Sequence, residues 1–442
     1  MEKTKAWAYR WLRWSERYTK TDMVYLARGG FWMNVSFVFT NLLAFGLSIA
    51  FARLLPKDIY GTYQFILSIG AILNALTLTG MNNAVTQAVA RGYEGTLRRS
   101  IGVQLVWNLV SFGAAIAIAV YYFMQGNSEI ALGVMLIGFL SPVYSAYNTY
   151  AAFMTGKKEF RIGATYGMTL ALAYSVCMAI TLVFVKDPVS LVAVNIGVNT
   201  AVTVGLYALT VRRFEPNDRV DGAAIGYGKH LSLANVISTI AGQLDNLMVF
   251  HYLGTVDLAI YAFASTIPER ASSALKSVSV LAFPKLSERT SGEIGQSMFP
   301  KTMRLFAFSL MIALIYIAVA PYVFWLFFPK YLSSVLYSQG YALAVALMAM
   351  PNLPLAGLTA MKAKREIYIY NIVNPIVSIG AMLALGIPFG VWGIIASKAL
   401  SGGAAYGTAM ILVRSAAKRP AIATDAGAPR ESAATPMGRD AL

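Results

Sequence analysis

The chain has 442 residues, 57% of them hydrophobic and only 13% charged, with a formal net charge of +16. Soluble domains carry about 25% charged residues, so this balance, with a mean hydropathy of +0.59, requires lipid as solvent and excludes a secreted or cytosolic enzyme. A single cysteine, Cys177, and two histidines, His230 and His251, argue against a disulfide framework and against a Cys or His metal centre. No cofactor is expected.

In chain order, residues 1–29 are charged and lack the apolar core of a signal peptide. Trp7, Trp11, Trp14 and Tyr18 recur at helical spacing beside Lys3, Arg10, Arg13 and Arg17, the pattern of a cytoplasmic amphipathic arm on a membrane surface. Twelve apolar runs follow, at 30–52, 61–83, 101–124, 130–155, 163–185, 189–211, 231–252, 256–281, 303–328, 335–361, 367–387 and 390–413. Backbone amides in hydrocarbon must be satisfied within their own segment, so each run predicts a helix. None alternates as a β-barrel strand would. The resulting division is an N-terminal six-helix bundle at 30–211, a basic linker at 212–230, a C-terminal six-helix bundle at 231–413 and a disordered tail at 414–442.

Most of the 36 Lys and Arg fall on the side of the N-terminus, in the segments 91–99, 157–161, 212–229, 285–301 and 362–365 and in the tail. The opposite turns carry only Arg53, Lys57, Lys186 and Lys330. Such a bias places both termini in the cytoplasm, the chain being a multi-pass protein of the cytoplasmic (inner) membrane. The high positive charge is then a signal of topology and of anionic membrane lipids, not of nucleic acid.

An offset of 198 sets residues 34–92 against 232–290: Leu55 meets Leu253, Tyr63 meets Tyr261, Phe65 meets Phe263, Ile69 meets Ile267 and Arg91 meets Arg289. Similar basic turns, Gly156-Lys157-Lys158 and Ala363-Lys364-Arg365, fall at matching places. Six helices per unit is an even number, so both halves enter from one side, as in transporters with parallel repeats that bind substrate between the halves.

The turn Leu54-Leu55-Pro56-Lys57-Asp58-Ile59-Tyr60-Gly61-Thr62-Tyr63 resembles the first helix pair of the polysaccharide-transport flippases of the MOP superfamily. The stretch 243–264, with 280–289 after it, is similar to that family's helix 7–8 region. The resemblance covers most of 30–413. It implies an all-α polytopic membrane protein with 12 transmembrane helices in two pseudo-symmetric bundles around a central cavity, MATE/MOP-like. It also implies a Wzx-type flippase, not an enzyme, that moves undecaprenyl-diphosphate-linked oligosaccharide outward by alternating access for O-antigen, capsule or exopolysaccharide synthesis. A polysaccharide polymerase or assembly proteins are partners of the same kind. The drug-export branch of the superfamily usually has an acid in helix 1, where this chain has Asn34 and Asn41.

Ionisable groups at membrane depth normally face a cavity or a partner. Asp245, Glu269, Arg270, Lys276 and Lys398 stand there, and at the offset Asp245 meets Leu47 while Glu269-Arg270 meet Ala71-Ile72. Charge therefore belongs to the second half only. Arg270, Lys276 and Lys398 are candidates to hold a diphosphate, and Asp245 and Glu269 to couple transport to H+ or Na+ or to keep the cations in place. The competing readings are mutual pairing of Glu269 with Arg270, snorkelling of Lys276, and a structural acceptor role for Asp245. Asn41, Gln64 and Asn74 are candidates for sugar hydroxyls or for bonds between helices. Asp187 and Asp257 have the look of helix caps, and Arg53 of an interfacial anchor.

No G-x-x-x-x-G-K-[ST] sequence is present, which disfavours ATP hydrolysis. A MATE-like drug or ion antiporter and a membrane glycosyltransferase or polymerase are the alternatives; the short outer turns weigh against the latter.

Overall fold

The computed structural model describes residues 23–287, 290–361 and 363–418; the aromatic arm and most of the tail lie outside the described residues. Every described element is helical apart from turns. The first half contains α1 (Met23–Leu54), α2 (Lys57–Ala75), α3 (Met81–Ala90), α4 (Thr96–Trp107), α5 (Leu109–Met124), α6 (Ser128–Tyr147), α7 (Tyr150–Gly156), α8 (Phe160–Phe184) and α9 (Pro188–Phe214). The second contains α10 (Gly222–Ala241), α11 (Leu244–Leu253), α12 (Thr255–Ser287), α13 (Ser291–Phe327), a 3-10 turn at Pro329–Tyr331, α14 (Ser334–Met348), α15 (Asn352–Ala360) and α16 (Lys364–Lys418).

Local chemistry accounts for the boundaries. Pro56 ends α1, because the residue before a proline is pushed out of helical conformation. Asp187 accepts from the amide of Ser190 at 2.8 Å with Pro188 in the first turn, as expected of a cap, and starts α9. Arg212 and Arg213 close α9 against its dipole, so those two cations, expected in a linker, are helical. The linker shrinks from 212–230 to 215–221, because Asp221 caps α10 through the amide of Ala224. Asp257 lies inside the first turn of α12 rather than at a cap. Thr290 and Glu293 form a reciprocal capping box at the start of α13. In α16 the chain reverses at Gly390, whose φ of 58° and ψ of −137° only glycine tolerates at little cost, making two arms.

Eight stretches among the described residues are long and apolar enough to cross a membrane. They take in nine of the twelve expected spans, since 367–387 and 390–413 share α16. The other three run differently. The span 61–83 is broken between α2 and α3, 231–252 is broken at Gly242-Gln243, and 256–281 falls on α12, which carries Asp257, Glu269, Arg270 and Lys276.

The first half packs α1 on α8, α5 and α9 on α6, and α9 on α8; the second packs α12 and α13 on α14, and α14 on α16. Between the halves, α2 lies along α12, and α10 against α2 and α3. Phe65 and Phe263, set opposite each other by the repeat, are both buried. Phe65 stacks on Phe250 at 3.6 Å between ring centroids, and Phe263 lies 4.7 Å from Tyr60 and 4.0 Å from Tyr331. Gly61 sits against the carbonyl of Thr255, where any Cβ would collide. Substituting Gly61→Ala is therefore expected to force α2 and α12 apart and cost about 1–3 kcal/mol, seen as a lower thermal midpoint of the purified protein. Gly113→Ala, whose Cβ meets nothing within 4 Å, is expected to leave the midpoint unchanged.

Candidate functional site

Four segments of the second half converge on one polar cluster. Asp245 opens α11, Tyr261 and Glu269 stand on α12, Tyr341 on α14 and Lys398 on the second arm of α16. Lys398 Nζ lies 2.7 Å from Asp245 Oδ2, with side chains 15% and 5% exposed. Tyr261 donates its hydroxyl proton to the same oxygen at 2.6 Å. Tyr341 donates to Glu269 Oε1 at 2.8 Å, and its ring carries Lys398 Nζ at 5.8 Å from the centroid. Asp245 is thus neutralised by Lys398 and bonded by Tyr261, while Tyr341 links Glu269 to the same ammonium. A second oxygen of the pair, Asp245 Oδ1, is buried and has no hydrogen-bond partner among the described residues.

Arg270 takes the next position on α12 and turns the other way. Its Nη1 donates to Asn41 Oδ1 on α1 at 2.7 Å, a bond between the halves. Glu269 and Arg270 are adjacent in sequence yet satisfied by different partners, so their mutual pairing is not what holds them. Lys276, seven residues after Glu269, shares its helix face about 10 Å further along, and both are exposed.

The remaining candidates are spread out. Gln64 donates to the Tyr60 hydroxyl at 2.6 Å, and Asn74 Oδ1 accepts from Thr77 at 3.2 Å; both bonds stay within the first half. Asn41 also donates to the carbonyl of Phe37 at 2.8 Å. A cavity of about 320 Å³ lies beside that turn of α1, lined by Met33, Ser36, Phe37 and Thr40 with Met154 and Gly163. Arg53 is more than an anchor at one surface: its Nη2 donates to the carbonyl of Leu326 on α13 at 2.6 Å.

Sequence reasoning missed Tyr261 and Tyr341. Tyrosine is common enough in apolar helices that neither stood out. The repeat offered a signal for Tyr261, because its counterpart Tyr63 occupies the same place in the first half. There, Asn195 on α9 donates to Tyr63 at 2.7 Å and lies 3.2 Å from the Tyr174 hydroxyl. Tyr63 thus meets a neutral Asn195 and Tyr174, where its counterpart Tyr261 meets Asp245 beside Lys398.

The model of the polysaccharide biosynthesis protein family matches residues 50–305, more than half of the chain and including Asp245, Glu269 and Arg270. The chain belongs to that family. No curated protein matches it. Among solved structures, this polysaccharide biosynthesis protein shares its fold with an inward-facing multidrug resistance MATE family transporter of the MOP superfamily. The two are 14% identical, and the alignment covers 86% of this chain and 94% of the other with a TM-score of 0.62. The lipid II flippase MurJ in an inward closed conformation matches at 11% identity, 87% of each chain and a TM-score of 0.62. A MOP superfamily transporter from Pyrococcus furiosus matches at 13% identity, 90% of this chain and 96% of that one, with a TM-score of 0.59. The chain is therefore a helical, multi-pass membrane protein with the MOP transporter fold.

Removing one partner from a buried ion pair leaves the other charged, desolvated and unmatched, at a cost of about 3–5 kcal/mol, whereas removing both is far milder. Lys398→Met alone is expected to lower the thermal midpoint sharply, and Asp245→Asn with Lys398→Met to recover most of the loss. A double-mutant cycle on purified protein measures this directly; additive losses would show that the pair is not coupled.

Proposed function

We infer that this protein is a flippase which moves undecaprenyl-diphosphate-linked oligosaccharide repeat units from the cytoplasmic to the outer leaflet of the cytoplasmic membrane. The observation that carries this is Arg270: a guanidinium midway along α12, reaching across to Asn41 on α1, in a chain of the polysaccharide biosynthesis family. Only one of the five guanidinium N–H donors is used by Asn41, and the planar fork that remains suits a phosphate. An anion-binding cation at the junction of two halves favours a diphosphate headgroup over the cationic drugs of an antiporter.

The remaining geometry fits alternating access. Arg53 to Leu326, Lys330 to the carbonyl of Leu55 at 3.5 Å, and Phe45 against Phe327 at 5.2 Å join the halves at the end away from the basic loops. With both termini cytoplasmic, that end is the outer one, and the bundle is closed outward. Towards the basic end α1 loses its cover, from Ala52 at 0% exposed to Phe37 at 60%, which supports an entrance between α1 and the second half. Residues 30–211 and 231–413 then move as two lobes while the polyprenyl tail stays in lipid. Lys276 would meet the headgroup on its way in. Asp245, with an unbonded oxygen, and Glu269 are the coupling carboxylates for H+ or Na+, and Lys398 is the internal counter-charge of Asp245 rather than a free phosphate ligand.

The test is glycan display in a strain whose own copy is deleted. Arg270→Ala at normal protein level is expected to abolish surface polysaccharide, and Arg270→Lys to retain part of it. Full display by the Ala variant would reject Arg270 as the diphosphate ligand. Undiminished display in the deletion strain itself would reject the flippase reading.

A further inference from the structure

A cavity of about 720 Å³ lies outside the cluster just described, at the basic end of α4. Its rim is formed by Arg98 and Arg99 in the first turn of α4, Asp218 in the 215–221 connector and Lys229 on α10. Its floor is apolar: Val103, Val106, Trp107 and Val110 lie on one stripe running down α4 into α5. At about 1.5 Å per residue the stripe from Arg99 to Val110 extends about 16 Å. Val106 and Val110 are 71% and 58% exposed on Thr96–Met124, one of the stretches long and apolar enough to cross a membrane. Trp107 has committed its indole N–H to the carbonyl of Leu76 at 3.1 Å, and its ring is left as part of the wall.

The charges at the rim are unbalanced. Arg98 faces Asp218 at 3.5 Å, in a pair whose acid is 98% exposed. Among the described residues Arg99 and Lys229 have no ion-pair partner. A cationic mouth above a lipid-facing apolar trough has the two-part chemistry of an anionic lipid: phosphate at the rim and acyl chain along the floor. A soluble anion would make no use of the floor, and a peptide or nucleic acid would make no use of its opening towards lipid. We propose that this groove is a binding site for an anionic phospholipid of the bilayer, which bridges α4 of the first half and α10 of the second through Arg99 and Lys229. The site stands apart from Arg270 and serves whichever substrate the protein carries.

The connector is already fastened to this corner by protein contacts. Arg91 pairs with Asp221 at 2.7 Å, the backbone amide of Asn217 donates to Glu94 at 3.3 Å, and the Asn217 side chain donates to the carbonyl of Gly92 at 3.1 Å. The rim is therefore held in place without ligand, and loss of Arg99 and Lys229 removes charge without removing the scaffold.

Full-length protein purified in detergent is exposed to equal amounts of phosphatidylglycerol and phosphatidylcholine of one chain length, and retained lipid is counted by native mass spectrometry. The wild type is expected to retain phosphatidylglycerol over phosphatidylcholine by about tenfold. Arg99→Gln with Lys229→Gln is expected to bring the ratio near parity with phosphatidylcholine retention unchanged. A wild-type ratio near one, or an unaltered preference in the double variant, overturns the proposal. So does displacement of the lipid by equimolar inorganic phosphate, or by equimolar undecaprenyl diphosphate, which would assign the groove to a free anion or to the carried substrate. Should the double variant fail to fold, the wild-type ratio and the single Arg99→Gln variant decide alone.

Discussion

Charge inside hydrocarbon must be matched on the spot, and that constraint organises the second half of this protein. Asp245 and Lys398 come from helices far apart in sequence, and each makes the other tolerable at depth. Their pairing needs the start of α11 and the second arm of α16 to lie side by side, with Tyr261 of α12 donating into the same carboxylate. The fold in turn places them there through Gly390, which reverses α16, and through the break before α11, which frees Asp245 from a continuous helix. A polar cluster of this kind contributes little net stability over an apolar one of equal volume. Its presence in one half alone points to a use other than folding.

The two halves make that comparison internal to the chain. Tyr63 and Tyr261 are both buried and occupy equivalent places. The first meets Asn195 and the second meets Asp245 beside Lys398. A tyrosine hydroxyl accepts from an amide as readily as it donates to a carboxylate, so the scaffold accommodates either a neutral or an ionic neighbour. Helix packing is served by both versions; only the ionic one offers charges whose balance a proton, a metal cation or a phosphate is able to change.

Much of this was legible in the sequence, for physical reasons. Apolar runs, basic turns and the 198-residue repeat reflect the solvent and the topology, which act on every residue of a span. The acids and bases at depth stood out because such residues are costly there. Helix breaks were not read at 76–80 or at Gly242-Gln243: the polar residues there, Thr79-Gly80 and Gly242-Gln243, sit inside runs that are apolar on average, and the break itself shows only as hydrogen bonds that leave the helical register. Arg212 and Arg213 misled in the opposite sense, because a charged pair at a helix end has the composition of a loop. Pairing was also hidden. Nothing in the spacing of Asp245 and Lys398, or of Asn41 and Arg270, indicates that they meet, since those contacts depend on how the helices cross.

The bond between Arg270 and Asn41 has a further consequence. It joins α12 to α1, one helix from each half, part-way along both. Towards one end of the molecule the halves are held by the aromatic contacts Phe45–Phe327 and Tyr60–Phe263 and by Arg53 and Lys330; towards the other α1 is increasingly exposed. Arg270 stands between the closed part and the open part. On the proposal that Arg270 is the phosphate ligand, an anion on the free guanidinium donors would draw the side chain toward itself and pull on its one bond to the neutral amide of Asn41. On that proposal, occupancy of the site and the strength of the contact between the halves would be linked through one side chain, and linkage of that kind is reciprocal. Whatever loosens the Arg270–Asn41 contact would then favour the anion, and the anion whatever loosens the contact. A lysine at 270 would keep the charge but not the fork, so it would hold a phosphate or the amide with fewer aligned donors and couple the two less tightly.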